Sequence, residues 1–324
     1  MYIKKFKKIG WSIAVAAALI TSFFFYNTEV YASQDKMTST AAAVNPRMEL
    51  AGHQNISIGT WAPSRFHLED LNAATQIMAI RSLIAQGFDE YYFIMRNFNN
   101  ATESEATEKL LKSADRTSLK IIIILLPQSE GGLHANYNWI GWIKYFNSLK
   151  ERHQSSFLGF VIDDFNASNG IRRVYFMNNM YLLSLSNLDN ALLYKRQDVE
   201  FYPVMYLENG GFETVKTKYN KFLAGIILVN TLSNNNNDNN NITSSGKHIT
   251  AISKMFEHKS LKYIVYTDSS QNNNNENDNK TSSSDHLLIT TLALASKLFD
   301  GIIIYVNSDN RAVQQFLHTV NRPQ

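Results

Sequence analysis

Short apolar runs recur at regular intervals along the chain from residue 56 onward. Several are apolar almost throughout, as in Lys120–Leu126 and Gly301–Val306. Continuous apolar runs are typical of parallel strands buried on both faces, whereas a half-exposed strand alternates polar and apolar residues. The pattern predicts eight strands: Ile56–Thr60, Tyr91–Met95, Lys120–Leu126, Phe157–Ile162, Glu200–Tyr206, Leu223–Val229, Leu261–Thr267 and Gly301–Val306.

Segments with helical spacing of apolar residues lie between these strands. The first, residues 68–87, ends at Gly87, a residue type favoured just past a helix C-terminus. The next opens on Thr102 with Glu105 three positions later, which is the pattern of a capping box. Further predicted helices are Trp139–Lys150, Ile171–Leu185, Glu213–Phe222, Thr250–His258, Asp285–Leu298 and Arg311–Val320.

This alternation predicts an α/β fold with a parallel sheet, because parallel strands need crossover connections and helices usually provide them. Eight strand–helix units in residues 51–324 match the size of a single closed (β/α)8 TIM barrel. The alternative is an open doubly wound sheet. That fold usually has fewer strands and a glycine-rich first turn for phosphate, which the segment after the first strand lacks.

The first 32 residues have the composition of an export signal. Four lysines precede an apolar run over residues 9–26, and Val30, Tyr31 and Ala32 form a small-residue cleavage pattern before Ser33. The apolar run is also just long enough to span a bilayer, so residues 1–32 are a cleaved signal peptide or an uncleaved membrane anchor. Residues 33–50 are a predicted linker. In both cases the barrel is expected to be extracytoplasmic, with the membrane contacted only through the N-terminal segment.

Charge and cysteine content narrow the possible partners. The leader alone accounts for the formal net charge of +3, so the remaining chain is neutral and gives no support for binding nucleic acid. The absence of cysteine excludes disulfides, thiolate nucleophiles and cysteine-ligated metals.

Two polar tracts rich in asparagine, residues 233–247 and 269–284, follow the sixth and seventh predicted strands. Such tracts cannot bury enough apolar surface to offset chain ordering, so both are predicted to be disordered loops. Their position is compatible with a barrel, because insertions are tolerated in loops and not within strands.

Carboxylates at the C-terminal ends of the strands are the candidate catalytic residues, since (β/α)8 barrels carry their active sites at that face. Asp163 and Asp164 directly follow the fourth strand, and only one of two adjacent strand residues can point over the mouth. Glu208 follows the neighbouring fifth strand, and Asp268 follows the seventh. Two facing carboxylates are what a glycosidase uses. The structural alternative is a helix cap together with ion pairs to Arg172 or Arg173.

Polar and aromatic residues at the other strand ends are candidate ligand contacts. Sugar rings pack on indole faces, and guanidinium and amide groups bind hydroxyls, so a glycan is the expected partner. The candidate substrate-binding residues are Trp61, Arg96, Asn97, Gln128, His134, Asn230 and Asn307.

No cofactor or metal is predicted. The histidines show no metalloprotease spacing, there is no nucleophile elbow for a serine triad, and no phosphate-binding loop occurs. A site formed through space by His67 or His134 with Asp163 or Asp164 is the weaker alternative.

The segment FLGFVIDDFNAS, residues 157–168, resembles the end of the fourth strand in secreted TIM-barrel proteins of the glycoside-hydrolase type. That resemblance implies a hydrolase whose acidic cluster lies at the end of strand 4. Amylase-like barrels pair an Asp on strand 4 with a Glu on strand 5, as Asp163 or Asp164 would with Glu208. The chitinase-type pattern places a Glu after the acidic pair, and here Phe165 and Asn166 stand there instead.

The sequence therefore predicts an extracytoplasmic glycoside-hydrolase-like barrel with paired carboxylates on strands 4 and 5. The alternative is a non-catalytic surface barrel that binds carbohydrate or acts as a scaffold, because a fold alone does not determine a function.

Overall fold

Eight parallel strands form one closed barrel in the computed structural model. The structure describes residues 56–61, 68–126, 138–165, 187–207, 210–229, 248–266 and 298–305, together with residues 295, 313, 316 and 317. The strands are β1 (Ser57–Trp61), β2 (Glu90–Ile94), β3 (Lys120–Leu125), β4 (Phe157–Ile162), β5 (Glu200–Tyr206), β6 (Gly225–Val229), β7 (Ser260–Tyr266) and β8 (Gly301–Tyr305).

Helices lie between successive strands. A 3-10 turn at Leu68–Asp70 precedes the first helix, and another at Asn220–Phe222 follows the fifth. The described helices are α1 (Ala73–Ala85), α2 (Ala101–Ala114), α3 (Trp139–Arg152), α4 (Leu188–Leu192), α5 (Phe212–Tyr219) and α6 (residues 248–255).

The pairing of β1 with β8 confirms the predicted (β/α)8 barrel and excludes the open sheet. Every strand pairs in parallel with its sequence neighbours, and β1 pairs with β8 over five registered residues, from Ser57 opposite Gly301 to Trp61 opposite Tyr305. Closure leaves no sheet edge and brings the C-terminal ends of all the strands to one mouth.

Two separate apolar clusters form the core. The outer cluster joins the outward faces of the strands to the helices, with Phe146 of α3 stacked on Phe160 of β4 at a centroid distance of 4.5 Å. Among the described residues, the buried members of the inner cluster all belong to strands, and they fill the barrel. These members are Trp61, Tyr92, Ile122, Ile124, Val161, Tyr202, Val204, Ile227, Val229, Ile264 and Ile303.

A buried ionic cluster lies toward the N-terminal ends of the strands inside the barrel. Lys262 of β7 reaches across the interior and donates to Glu90 of β2 at 2.5 Å. The hydroxyl of Tyr92 donates to the same carboxylate at 2.7 Å. The ammonium of Lys262 also lies 4.7 Å from the ring centroid of Tyr202, whose hydroxyl donates to Glu200. Each buried polar group in this set has a partner, as burial requires.

Glycines provide the space for these long side chains. A Cβ on Gly59 would lie 2.6 Å from the Tyr92 ring, and a Cβ on Gly225 would lie 2.8 Å from the Tyr202 ring. A Cβ on Gly301 would lie 3.0 Å from Cγ of Lys262. The interior is therefore packed by alternating large polar residues with glycine, as close packing of a barrel demands.

The C-terminus of α1 and the N-terminus of α2 test the predicted caps. Gly87 has a φ of +93°, its N–H donates to Ile84, and the N–H of Phe88 donates to Leu83, which is a Schellman motif and confirms the predicted stop. The start of α2 was predicted wrongly. Asn100, not Thr102, is the N-cap, and its side-chain oxygen accepts the N–H groups of Thr102 and Glu103.

A second polar network ties the helices together at the N-terminal face of the barrel. His153, just after α3, contacts Asp115 at 2.7 Å and Glu108 at 2.8 Å through its two ring nitrogens, and Arg152 also pairs with Glu108. Burial works to raise the pKa of Glu108. Hydrogen bonds from Arg152 and His153 outweigh that effect and hold the pKa of this carboxyl below its usual value. This face, opposite the mouth, is thus held by the Arg152–Glu108 ion pair and by the polar contacts of His153.

Several predicted features lie outside the described residues: the leader and linker, the helix at Ile171–Leu185, and the asparagine-rich tracts 233–247 and 269–284. The helix α4 was not predicted. Among the described residues, no helix is both long and apolar enough to cross a membrane.

The cap of α2 gives a first prediction. Asn100→Ala removes the acceptor for two N–H groups of the first turn, so we expect a loss of about 1 kcal/mol in the free energy of unfolding. Thr102→Ala is the matched control and should leave that free energy nearly unchanged, because Thr102 contributes only its backbone N–H. Chemical denaturation of both variants distinguishes the two caps. A larger loss for Thr102→Ala would contradict the assignment.

The interior tyrosines give a second prediction. Burial, followed by the nearby Glu90, raises the pKa of Tyr92 well above its ordinary value of 10.0, and burial with Glu200 does the same for Tyr202. The folded state therefore keeps phenol protons that the unfolded chain loses above pH 10, so stability falls as the pH rises beyond that point.

We accordingly expect these tyrosinates to appear only when the barrel unfolds. Ultraviolet absorbance of tyrosinate and circular dichroism should change together in alkali, and Tyr92→Phe should reduce the absorbance step. Full tyrosinate absorbance in a protein that still has its folded dichroism would refute this expectation.

Candidate functional site

The backbone at the end of β4 determines which of the two adjacent aspartates faces the mouth. Val161 belongs to the inner cluster and Ile162 to the outer cluster, so the next residue, Asp163, falls on the inward side. Its N–H donates to Leu125 at 3.0 Å, which extends the pairing with β3 one residue past the strand. Asp163 is only 4% exposed. The Asp163 carboxylate therefore lies at the mouth of the barrel, at the end of β4.

Asp164 turns the chain directly after it. Its φ is +53°, a left-handed conformation that aspartate tolerates better than most residues. This turn directs the N–H of Asp164 onto Oδ1 of Asp163 at 2.7 Å. The following N–H, of Phe165, donates to Val204 of β5 at 2.9 Å, and the Phe165 ring packs on Tyr219. The turn thus holds one oxygen of Asp163 and returns the chain to the outer core.

Aromatic residues end β1, β5 and β8 at the same face. Trp61 closes β1, Tyr206 closes β5 and Tyr305 closes β8, and all three pack against the inner cluster. The rings of Trp61 and Tyr305 lie 6.0 Å apart and are tilted by 58°. Trp61 is 6% exposed, so its ring is mostly packed as part of the barrel interior. Tyr305 was missed by sequence reasoning, although its place at the end of the eighth apolar run was visible.

Arg96 and Asn97 lie just beyond β2. Both of their N–H groups donate to Oε2 of Glu103 in the first turn of α2, at 2.8 and 3.0 Å. The side-chain oxygen of Asn97 accepts from Asn99, and the Arg96 side chain is exposed. Glu103 was missed as a residue that shapes this loop, and its position three residues after the Asn100 cap was the available signal.

The structure therefore places five candidates and leaves the others undescribed. Asp163, Asp164, Trp61, Arg96 and Asn97 all lie at the C-terminal ends of their strands. The remaining candidates lie outside the described residues: Glu208, Asp268, Gln128, His134, Asn230 and Asn307. In the described part of the chain, no group of three or more metal-ligating side chains is close enough to hold an ion.

This arrangement supports proton transfer or nucleophilic attack by one carboxylate. A poorly hydrated carboxylate that is oriented by a fixed N–H can act as a base or nucleophile once a second group supplies the acid. Tyr206 ends the neighbouring strand β5, and Trp61 and Tyr305 end β1 and β8 farther round the barrel. Aromatic rings at strand ends are suited to the C–H face of a sugar.

Several solved structures are similar to this chain. The catalytic domain of β-amylase from Paenibacillus polymyxa matches with a TM-score of 0.53 and 8% identity, covering 84% of this chain and 100% of that one. A GH18 chitinase from Pseudoalteromonas aurantia matches with a TM-score of 0.47 and 16% identity, over 82% and 100%. The 7,8-dihydropteroate synthase from Vibrio fischeri ES114 matches with a TM-score of 0.46 and 9% identity, over 82% and 90%.

No family model and no curated protein matches the sequence. Likeness at this level of identity shows the fold alone. The chain is a (β/α)8 barrel, and its fold is similar to that of the β-amylase catalytic domain.

The turn at Asp163 gives a third prediction. Asp163→Ala removes the acceptor of a buried N–H, so we expect the free energy of unfolding to fall by about 1–3 kcal/mol. Asp163→Asn keeps an oxygen in the same place and should be much less destabilising. Denaturant melts of both variants provide the measurement. Equal stability of Asp163→Ala and wild type would show that the hydrogen bond to Asp164 does not hold this turn.

Proposed function

We propose that the protein is an extracytoplasmic glycoside hydrolase in which Asp163 and Glu208 are the catalytic carboxylates. The observation that carries this proposal is the inward position of Asp163 at the C-terminal end of β4, with one oxygen held by the N–H of Asp164. A carboxylate held in one orientation at the barrel mouth is placed to act on a bound substrate.

The chemistry follows from the geometry of neighbouring strands. Ile162 of β4 is paired with Pro203 of β5, so Asp163 is level with Val204. Glu208 is the second residue after the end of β5. Asp163 would serve as nucleophile or base, and Glu208 would protonate the leaving oxygen. A separation of about 5 Å between carboxylates gives retention of configuration, and about 6.5–9.5 Å leaves room for the water that gives inversion.

The aromatic mouth supports a glycan as the substrate class. Trp61 and Tyr305 end β1 and β8 at the same face of the barrel as Asp163, and sugars bind aromatic rings through their C–H faces. Arg96 and Asn97 beyond β2, with Asn230 and Asn307, would orient hydroxyl groups. Asp268 is the alternative candidate for the general acid.

The extracytoplasmic location rests on residues 1–32, whose lysines, apolar run and cleavage pattern are those of an export segment. A polysaccharide too large to enter a cell would be met on that side of the membrane. Secretion and tethering by an uncleaved segment both fit this proposal.

The test is a screen of defined α- and β-linked glycans with matched variants. We expect turnover by the wild type, and a loss of at least about a hundredfold in Asp163→Asn and in Glu208→Gln, because removal of an essential acid, base or nucleophile has effects of that order. Asp198→Asn is the control, since this exposed carboxylate pairs with Arg196 just before β5, at the opposite face.

The same experiment distinguishes a glycoside hydrolase from a non-catalytic carbohydrate-binding barrel. Full activity of Asp163→Asn on a glycan that the wild type cleaves would refute the residue assignment. Binding of a glycan without cleavage, weakened by Trp61→Ala and unaffected by Asp163→Asn, would instead identify a non-catalytic carbohydrate-binding barrel.

A further inference from the structure

The strand β7 contributes a charged residue to a barrel interior that is otherwise built mainly of aliphatic and aromatic side chains. Lys262 is 3% exposed and Glu90 is 5% exposed, and their 2.5 Å contact joins strands that lie three positions apart around the barrel. Removing two charges from water costs about as much as their attraction returns, so a buried pair of this kind adds little net stability. Its presence calls for another explanation.

The aliphatic strands on either side of β7 specify its alignment poorly. The outward face of β6 carries Ile226 and Leu228, and that of β8 carries Ile302 and Ile304. On these outer faces, a shift of two residues along either neighbour would bring one aliphatic side chain to the place of another. Side-chain shape alone therefore leaves such a shift at low cost, because register is weakly specified where the pattern repeats.

Because of the position of Lys262, a shift of β7 by one or two residues would have a high free-energy cost. A one-residue shift would turn Lys262 out of the barrel and put Leu261 or Tyr263 inside. A two-residue shift would bring Ser260 or Ile264 to its level. In each case Glu90 would be left as a buried carboxylate without its ammonium partner, and burial of an unpaired charge is strongly unfavourable.

Both neighbours of β7 are shaped to receive this one alignment. Gly301 is the first residue of β8 and is paired with Lys262, and a side chain there would press on the lysine stem. Gly225 is the first residue of β6, and it makes room for the Tyr202 ring on which the ammonium rests at 4.7 Å. Glycine costs stability within a strand, so two glycines at these points mark a fitted site.

We propose that the Glu90–Lys262 pair is a register lock: a buried contact that fixes the alignment of β7 between β6 and β8 and adds little net stability. The lock acts by excluding misaligned barrels, in which the carboxylate would be buried alone. It is independent of the proposed hydrolase site, since Ile264 and Ile303, both buried, lie above it on the inner faces of β7 and β8 toward the mouth.

The experiment reads the register directly by disulfide formation, which is unambiguous because the natural chain contains no cysteine. Val265→Cys with Ile304→Cys reports the native register, because these residues are paired partners on the outer face. Shifts of two residues are reported by two other cysteine pairs. One combines Val265→Cys with Ile302→Cys, and the other combines Tyr263→Cys with Ile304→Cys. Such pairs lie too far apart to bridge in the native alignment.

Each reporter is placed in the wild type and in an apolar variant that removes the whole polar contact, Glu90→Met with Tyr92→Phe and Lys262→Met. A second variant, Glu90→Gln with Lys262→Met, keeps an acceptor for the Tyr92 hydroxyl and serves if the first does not fold. Ile264→Ala is the matched control, because it truncates an inward residue on the same strand and leaves the lock intact.

We expect only the native reporter to cross-link in the wild type and in Ile264→Ala, although Ile264→Ala lowers the melting temperature. In the folded lock-free variant a shifted reporter should cross-link severalfold above the wild-type level, with a melting temperature above that of Lys262→Met alone. Cross-linking confined to the native pair in that variant overturns the proposal. A melting temperature as low as that of Lys262→Met also overturns it, because the pair would then be a plain stabiliser.

Discussion

The parallel pairing of β1 with β8 is the constraint on which the rest of the molecule depends. By closing the sheet, it gives each strand two partners and forces one face of all eight strands into a common interior. It also brings the last residues of β4, β5 and β8 to one rim, so that Asp163, Tyr206 and Tyr305 become neighbours of a single opening. Without closure these residues would lie along an edge and form no site.

Closure also decides what the interior must contain. The space is limited, so a long side chain from one strand needs a small one beside it, and the glycines beside Tyr92, Tyr202 and Lys262 fill that requirement. The polar groups then have to satisfy each other, because their burial removes them from bulk solvent. The same rule that shapes an apolar core therefore accounts for a cluster of charges and phenols within it.

The strands could be predicted from the sequence to within one or two residues, because a long apolar run such as Lys120–Leu125 has to be buried on both faces. The N-cap of α2 was harder: Asn100 and Thr102 both suit a cap, and only the hydrogen bonds decide between them. The contact between Glu90 and Lys262 joins residues 172 positions apart. No local pattern carries that information, and the same holds for the left-handed turn at Asp164, which directs an N–H onto the carboxylate of Asp163.

The position of the Glu90–Lys262 contact also bears on how this chain can change over generations. Because the proposed lock aligns β7 from inside the barrel, this alignment does not depend on the length of the loops that follow the neighbouring strands. Codon repeats that expand or contract by replication slippage would then alter the asparagine tracts without moving the strands. The barrel could in this way acquire new surface at its mouth through insertions that a fold aligned by its loops would not survive.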